Sequence, residues 1–356
     1  SEWTRGKTMT SKERVRTACS HREPDRTPLW CGASPEFFQK AVMHTQVNDT
    51  EGFLQLIRDD FRQVHTRYTG PESELVQGAT WCSPFGVRRH GYGYGQPLSH
   101  PLADAESIAD IANYSWPSPD WVDISTIPSQ AGSWGDAYAI LGGEWSPIWH
   151  DAIDLLGQEN LYYQMYDRPA MVEALFEYIT DYYYEVTRRT FEAHADCIDI
   201  FFIGNDLGSQ TGPLLNVPLF EQFLSPSLKR LISLGHSYQK PVIMHCCGGF
   251  RPLIPPLIEI GLDGLQALQP DCVGMESDLL KRDFGADLIL NGAIDSRNVL
   301  IQGGSYEFVY EQTRKVLATM APGGGYICSA SHDYLLEETP VEHVLAMCDA
   351  CRDFSL

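Results

Sequence analysis

The stretch Pro241-Val242-Ile243-Met244-His245-Cys246-Cys247-Gly248-Gly249 sets an imidazole and a thiol two residues apart at the end of an apolar run. In an extended chain, residues i and i+2 point to the same side, so His245 and Cys247 converge while Cys246 points away. Imidazole and thiolate together suit zinc, which accepts nitrogen and sulfur ligands at one site. Gly248 and Gly249 let the backbone turn sharply and approach a ligand closely. The plainer alternative is a hydrogen-bonded histidine beside a cysteine packed as a small hydrophobe. Two ligands do not make a zinc site, but other segments offer more. Cys328 lies in Gly323-Gly324-Gly325-Tyr326-Ile327-Cys328, and His332 follows four residues later. Asp206, in Ile203-Gly204-Asn205-Asp206-Leu207-Gly208, is either a ligand or proton acceptor, or the cap of a turn.

Other clusters carry weaker signals. In Glu144-Trp145-Ser146-Pro147-Ile148-Trp149-His150, Glu144 could serve as a general acid or base and the indoles could wall an apolar pocket. Loop packing explains the same residues. Asp295 and Arg297 offer a salt bridge or ligand clamp. Asp59-Asp60 reads as a solvated helix end. Tyr162, Tyr163, Tyr166, Tyr178 and Tyr182-Tyr183-Tyr184 fit the side of a fold or a subunit face better than a binding surface, and are compatible with a homodimer.

These residues need a frame that gathers them. Short β-branched or aromatic runs alternate with longer helical ones from residue 27 onward, the mark of parallel strands with helical crossovers. The expected strands are Thr27–Cys31, Phe61–Thr66, Tyr138–Gly142, Ile198–Ile203, Pro241–His245, Gly264–Ala267, Leu288–Gly292 and Tyr326–Ser331. Eight such strands predict one (β/α)8 TIM barrel over residues 1–356, with the active face at the carboxyl ends of its strands. Asp167-Arg168-Pro169, Val217-Pro218 and Thr339-Pro340 open helices. Residues 66–137, rich in Gly, Pro, Ser and Trp, break the rhythm and read as an inserted loop region over that face. They include Gly91-Tyr92-Gly93-Tyr94-Gly95.

Composition narrows the function. Of 356 residues, 43% are hydrophobic and 21% charged, as in a folded enzyme rather than a disordered chain. Asp and Glu number 47 against 26 Lys and Arg, and the resulting charge of -21 disfavours nucleic acid and anionic membranes. No apolar stretch reaches the length of a membrane span, no signal-peptide pattern leads the chain, and a cytoplasmic protein is expected. Ten scattered cysteines read as thiols, some of them ligands.

Thr10-Ser11-Lys12-Glu13-Arg14-Val15 and His21-Arg22-Glu23-Pro24-Asp25-Arg26-Thr27-Pro28 resemble the opening of the uroporphyrinogen decarboxylase superfamily. The resemblance continues through His245-Cys246-Cys247-Gly248, Asn291-Gly292-Ala293-Ile294-Asp295, Gly323-Gly324-Gly325-Tyr326 and Thr339-Pro340-Val341-Glu342. It implies the barrel fold and leaves the reaction open. Authentic porphyrinogen decarboxylases carry an Arg-Gln-Ala-Gly-Arg type segment after the first strand, where this chain reads Leu29-Trp30-Cys31-Gly32-Ala33-Ser34-Pro35. Without those arginines a polyanionic tetrapyrrole is a poor substrate.

The site pattern is more similar to the branch of zinc-dependent methyltransferases that move methyl groups between a corrinoid protein and a thiol. Their ligands are His-x-Cys and a distant Cys, which His245 and Cys247 match. In that branch the last Cys falls nearest Ser331, whereas this chain offers Cys328 earlier and His332 one residue later. The resemblance implies a corrinoid-linked methyltransferase with His245, Cys247 and Cys328 or His332 on zinc, and Asp206 as a further ligand or base. Its partners are a small methylated molecule or thiol and a corrinoid or corrinoid protein. The alternatives are a metal-independent decarboxylase or lyase of a small carboxylate using Asp206, Glu144 or His332, and a non-catalytic corrinoid- or ligand-binding protein.

Overall fold

The computed structural model describes residues 8–71, 80–91 and 95–355; Tyr92–Tyr94 of the glycine- and tyrosine-rich tract lie outside them. Seven strands form one parallel sheet in sequence order: β1 Phe61–Gln63, β2 Ala139–Gly142, β3 Ile200–Gly204, β4 Val242–His245, β5 Gly264–Leu268, β6 Ile289–Ile294 and β7 Tyr326–Ala330. All neighbouring pairs are parallel, and the sheet curls into a half-barrel. The strands alternate with helices, the longest being Pro169–His194. No described helix is long and apolar enough to cross a membrane.

The expected eighth strand, Thr27–Cys31, is instead a single parallel bridge between Leu29 and Cys328. Its amides explain the difference. Leu29 N–H donates to Asp60 Oδ2 (2.8 Å) and Cys31 N–H to Asp59 Oδ2 (2.6 Å), so carboxylates replace the carbonyls of a neighbouring strand. Asp59 and Asp60 are therefore no solvated helix end: both are buried beneath β1.

Strand alternation sorts the core into two layers. Leu290, Met244, Phe201 and Cys328 face the helices, while Phe61, Leu141, Phe202, Ile243, Ile289 and Ile327 fill the concave side. Val15, from the helix Ser11–Cys19, joins that inner cluster. The helix is started by a capping box, in which Thr10 accepts from Glu13 N–H and Glu13 accepts from Thr10 N–H. It also carries Arg14, whose guanidinium joins Asp25 (2.7 Å) and Asp60 (2.8 Å); Arg26 meets both oxygens of Asp60. The opening motifs thus build an ionic knot at the amino ends of the strands.

Within 66–137 the described residues form a two-stranded ribbon, Arg67–Tyr68 with Val122–Asp123, and a three-stranded one, Trp81–Cys82, Arg88–His90 and Gln96–Pro97. Of the tyrosines, Tyr182 and Tyr183 are buried, Tyr178 stacks on Trp116 at 5.2 Å, and Tyr163 and Tyr166 are exposed. All ten cysteines are free thiols.

Asp60 has no exposure and receives two arginines and a backbone amide, so its removal strips Arg26 of its ion-pair partner and leaves the buried Arg14 with Asp25 alone. Asp60→Ala is expected to lose about 3–5 kcal/mol in urea unfolding; a change below about 1 kcal/mol would show that the knot does not hold the fold.

Candidate metal centre

β4 ends at His245, and the register sets Gly204 of β3 and Gln266 of β5 on either side of it. His245 and Gln266 thus share the concave face, and His245 Nδ1 lies 2.5 Å from Gln266 Oε1. An amide oxygen only accepts, so Nδ1 carries a proton and Nε2 is left for other partners. Those partners are Cys247 Sγ and Asp206 Oδ1, each 3.1 Å from Nε2. Asp206, His245 and Cys247 bring their ligand atoms within 4.8 Å of one another.

Asp206 is held by the loop after β3. Asn205 N–H donates to the His245 carbonyl (2.9 Å), and Asn205 Oδ1 accepts from Trp149 N–H (2.9 Å). Asp206 Oδ1 in turn accepts from Cys247 N–H at 2.9 Å, so it steadies a turn and faces the imidazole at once. The close approach anticipated at Gly248 is to Gly208: Gly248 has φ +85°, and a Cβ there would meet the Gly208 backbone at 2.5 Å. Gly204 has a similar role toward Trp145, whose indole edge occupies the space of a Cβ and lies 5.6 Å from the His245 ring.

The charges are coupled. Burial opposes the His245 imidazolium, but the Cys247 sulfur and the Asp206 carboxylate outweigh it and raise its pKa well above the ordinary value. Burial would also raise Asp206; His245, His150 and the Cys247 amide hold it well below the usual carboxylate range instead. For Cys247, burial wins and pushes the thiol up. The Asp206 carboxylate thus favours a proton at Nε2, where a cation would bind.

His332 lines the adjoining cavity and pairs with Asp333 (2.9 Å), which raises its pKa, but it stands outside the three-residue group. Cys328 is not brought there. Ile327 and Ser329 take the concave face of β7, so Cys328 faces the last helix, where its free thiol meets that of Cys351 in a hydrogen bond. Ser331 Oγ accepts from Ser296 N–H (2.9 Å). Glu144 accepts from the Thr66 hydroxyl and is raised by burial, also apart from the group. Asp295 makes no bond to Arg297 among those described; its oxygens cap Asn298.

Sequence reading missed Gln266, His150 and Asp333. His150 Nε2 lies 3.6 Å from Asp206 Oδ2, and Asp333 lines the cavity. A glutamine inside the otherwise apolar Gly264–Leu268 was the available signal for the first. The cavity, of about 710 Å³, is walled by Trp30, Trp81, Trp145, Phe202 and Tyr334. Trp149 lies in the helix-side core instead. No Lys or Arg is among the described lining residues.

A parallel α/β sheet with an N, S and O donor set at the carboxyl ends of its strands defines a barrel-like protein with a candidate metal centre in its mouth. Residues 133–354, more than half of the chain, match the family "Uroporphyrinogen decarboxylase (URO-D)", and the chain belongs to that family. Among solved structures it is similar to a methyltransferase from Methanosarcina mazei, at 18% identity and a TM-score of 0.67, covering 97% of this chain and 99% of that one. No curated protein matches it.

If Asp206 holds the His245 proton, Asp206→Asn lowers the His245 pKa by about 1–3 pH units in metal-free protein, read from the imidazole NMR resonances. An unchanged midpoint would contradict the coupling.

Proposed function

We propose that the protein is a zinc-dependent methyltransferase moving a methyl group between a small methylated molecule or thiol and a corrinoid, free or carried by a partner protein. The observation that supports it is the convergence of Asp206, His245 and Cys247 beside an aromatic cavity. Imidazole nitrogen, thiol sulfur and carboxylate oxygen are the donors that zinc takes, and the Gln266 amide fixes the imidazole as outer partners of zinc ligands do. His245, Cys247 and Asp206 would hold the ion. Zinc bound there lowers the pKa of a thiol or hydroxyl, or polarises an ether oxygen or amine.

The chain's own groups do the rest. The indoles of Trp30 and Trp145 and the ring of Phe202 keep water from the reacting end of the cavity. His332, whose pKa is raised by its hydrogen bond to Asp333, stands at the cavity to supply a proton to a leaving group. Decarboxylation of a small carboxylate finds no Lys or Arg in the described lining to receive the anion. In this reading the bridge at Leu29 closes the half-barrel into an eight-membered TIM barrel, one cytoplasmic domain.

Protein purified without added metal or a metal-binding tag is expected to contain about one zinc per chain and to lose it in Cys247→Ala. Absence of zinc after anaerobic reconstitution would overturn the metal assignment. The zinc-loaded protein should alkylate a reduced corrinoid, seen in its absorbance, when given a suitable methyl donor. Gln266→Ala should weaken zinc about 10–100-fold while leaving circular dichroism unchanged.

Zinc affinity is also pH-dependent. His245 and Cys247 both have raised pKa values, and both must lose protons to bind the ion. Affinity therefore rises with pH through neutrality and falls as acid returns those protons. Chelator competition from about pH 6 to pH 8 should show tighter binding at the higher pH; a flat profile would contradict deprotonation of these two ligands.

A further inference from the structure

Deepening the zinc reading, on which this inference rests, we propose that Asn291 is a positioning residue of the metal centre. Its amide holds the Gln266 amide with the oxygen toward His245, and so keeps Nε2 of that imidazole for the ion.

The two amides share one face of neighbouring strands. Ile289 fills the concave side of β6, so Asn291, two residues on, points the same way. Gly264 stands opposite Ile289 and Leu265 opposite Leu290, and the register then slips before Leu268 and Gly292, so Gln266 and Ala267 together face Asn291. Ser329, on the concave face of β7, donates its hydroxyl hydrogen to Asn291 Oδ1. One layer of the interior thus runs Ser329, Asn291, Gln266, His245 across four consecutive strands, all of them buried.

The backbone presses this part of the layer together. A Cβ on Gly292, at φ +120°, would meet the Leu268 nitrogen at 2.6 Å, so only glycine lets β5 and β6 approach this closely just beyond the amide pair. Ala267 and Ala293 hold left-handed φ values of +68° and +73°, costly for alanine, and such irregularities re-aim the side chains beside them. The Tyr326 hydroxyl fixes the Gly292 carbonyl from β7 at 2.8 Å.

The supply of hydrogen-bond donors sets the direction. His245 Nδ1–H uses one lone pair of Gln266 Oε1, and the second is open to another donor. Asn291 Nδ2 is buried without a partner among the described residues, while Ser329 engages its oxygen. A bridge of one water from Asn291 N–H to Gln266 Oε1 satisfies both groups. Turning the Gln266 amide over would set its NH2 against two donors at once, which the layer forbids. The arrangement holds with zinc on Nε2, because Nδ1 keeps its proton there.

Nitrogen-15 NMR of the His245 Nδ1–H group, in zinc-free and zinc-loaded protein, and zinc affinity by chelator competition test the proposal together. Asn291→Leu keeps the shape and removes the donors; its Nδ1–H should exchange with solvent about tenfold faster, and its zinc should bind about tenfold more weakly. Asn291→Ser, a smaller change that still folds if leucine does not, should show about a threefold effect in both readings. Gln266→Ala should add little further loss in the Asn291→Leu background, as expected of two residues acting through one path. Ile327→Val, on the same concave face but without a hydrogen bond to lose, should leave both readings unchanged and so separates positioning from stability. Unchanged exchange and affinity in both Asn291 variants, or strictly additive losses with Gln266→Ala, would overturn the proposal. Its failure is separable from that of the metal reading: zinc bound with no effect of Asn291 sinks only the positioning role, and faster Nδ1–H exchange in a variant of a protein that takes no zinc sinks only the metal.

Discussion

A buried imidazole with both nitrogens committed is the constraint around which the mouth of this protein is arranged. His245 is 2% exposed, with one nitrogen on the Gln266 amide and the other between a carboxylate and a thiol. A charge so placed is costly unless its partners are fixed, because the surroundings cannot reorient as water does. The neighbouring loops supply that fixation. Asn205 ties the β3 loop to the His245 carbonyl, the Cys247 amide ties the β4 loop to Asp206, and Gly208 and Gly248 let the two loops touch. The three donors are thereby gathered before any ion arrives.

The ionic knot and the candidate metal centre occupy opposite ends of the strands. At the amino ends, Arg14, Asp25, Arg26 and Asp60 form a knot that also takes the Leu29 amide. At the carboxyl ends lie the imidazole, its partners and the aromatic cavity. The opening motifs that mark the family belong to the first group. Thr10 and Glu13 cap, Arg14 pairs and Val15 packs, so their presence speaks for the fold and says nothing of the reaction.

That division also explains what could be read from the sequence. His245 and Cys247 were legible because i and i+2 of an extended run share a face. Cys328 was misplaced for the converse reason: Tyr326–Ala330 is buried on both faces, so no alternation of apolar and polar residues reveals its parity. Asp206 was found, yet its double role depends on a loop contact that no spacing encodes. Gln266, His150 and Asp333 act through positions on other elements. Seven of the eight expected strands were located. The eighth was lost to Asp60, held by Arg14 and Arg26 from far back in the chain, and to Asp59, which takes the Cys31 amide and lies beside Arg62.

The central claim is that one sulfur and two lighter donors of this chain surround a metal ion. X-ray absorption at the zinc edge of the zinc-loaded protein tests it most directly. The account predicts a single sulfur at about 2.3 Å, with nitrogen and oxygen at about 2.0–2.2 Å making up the rest. Two or more sulfurs, or none, would contradict the Asp206, His245 and Cys247 site.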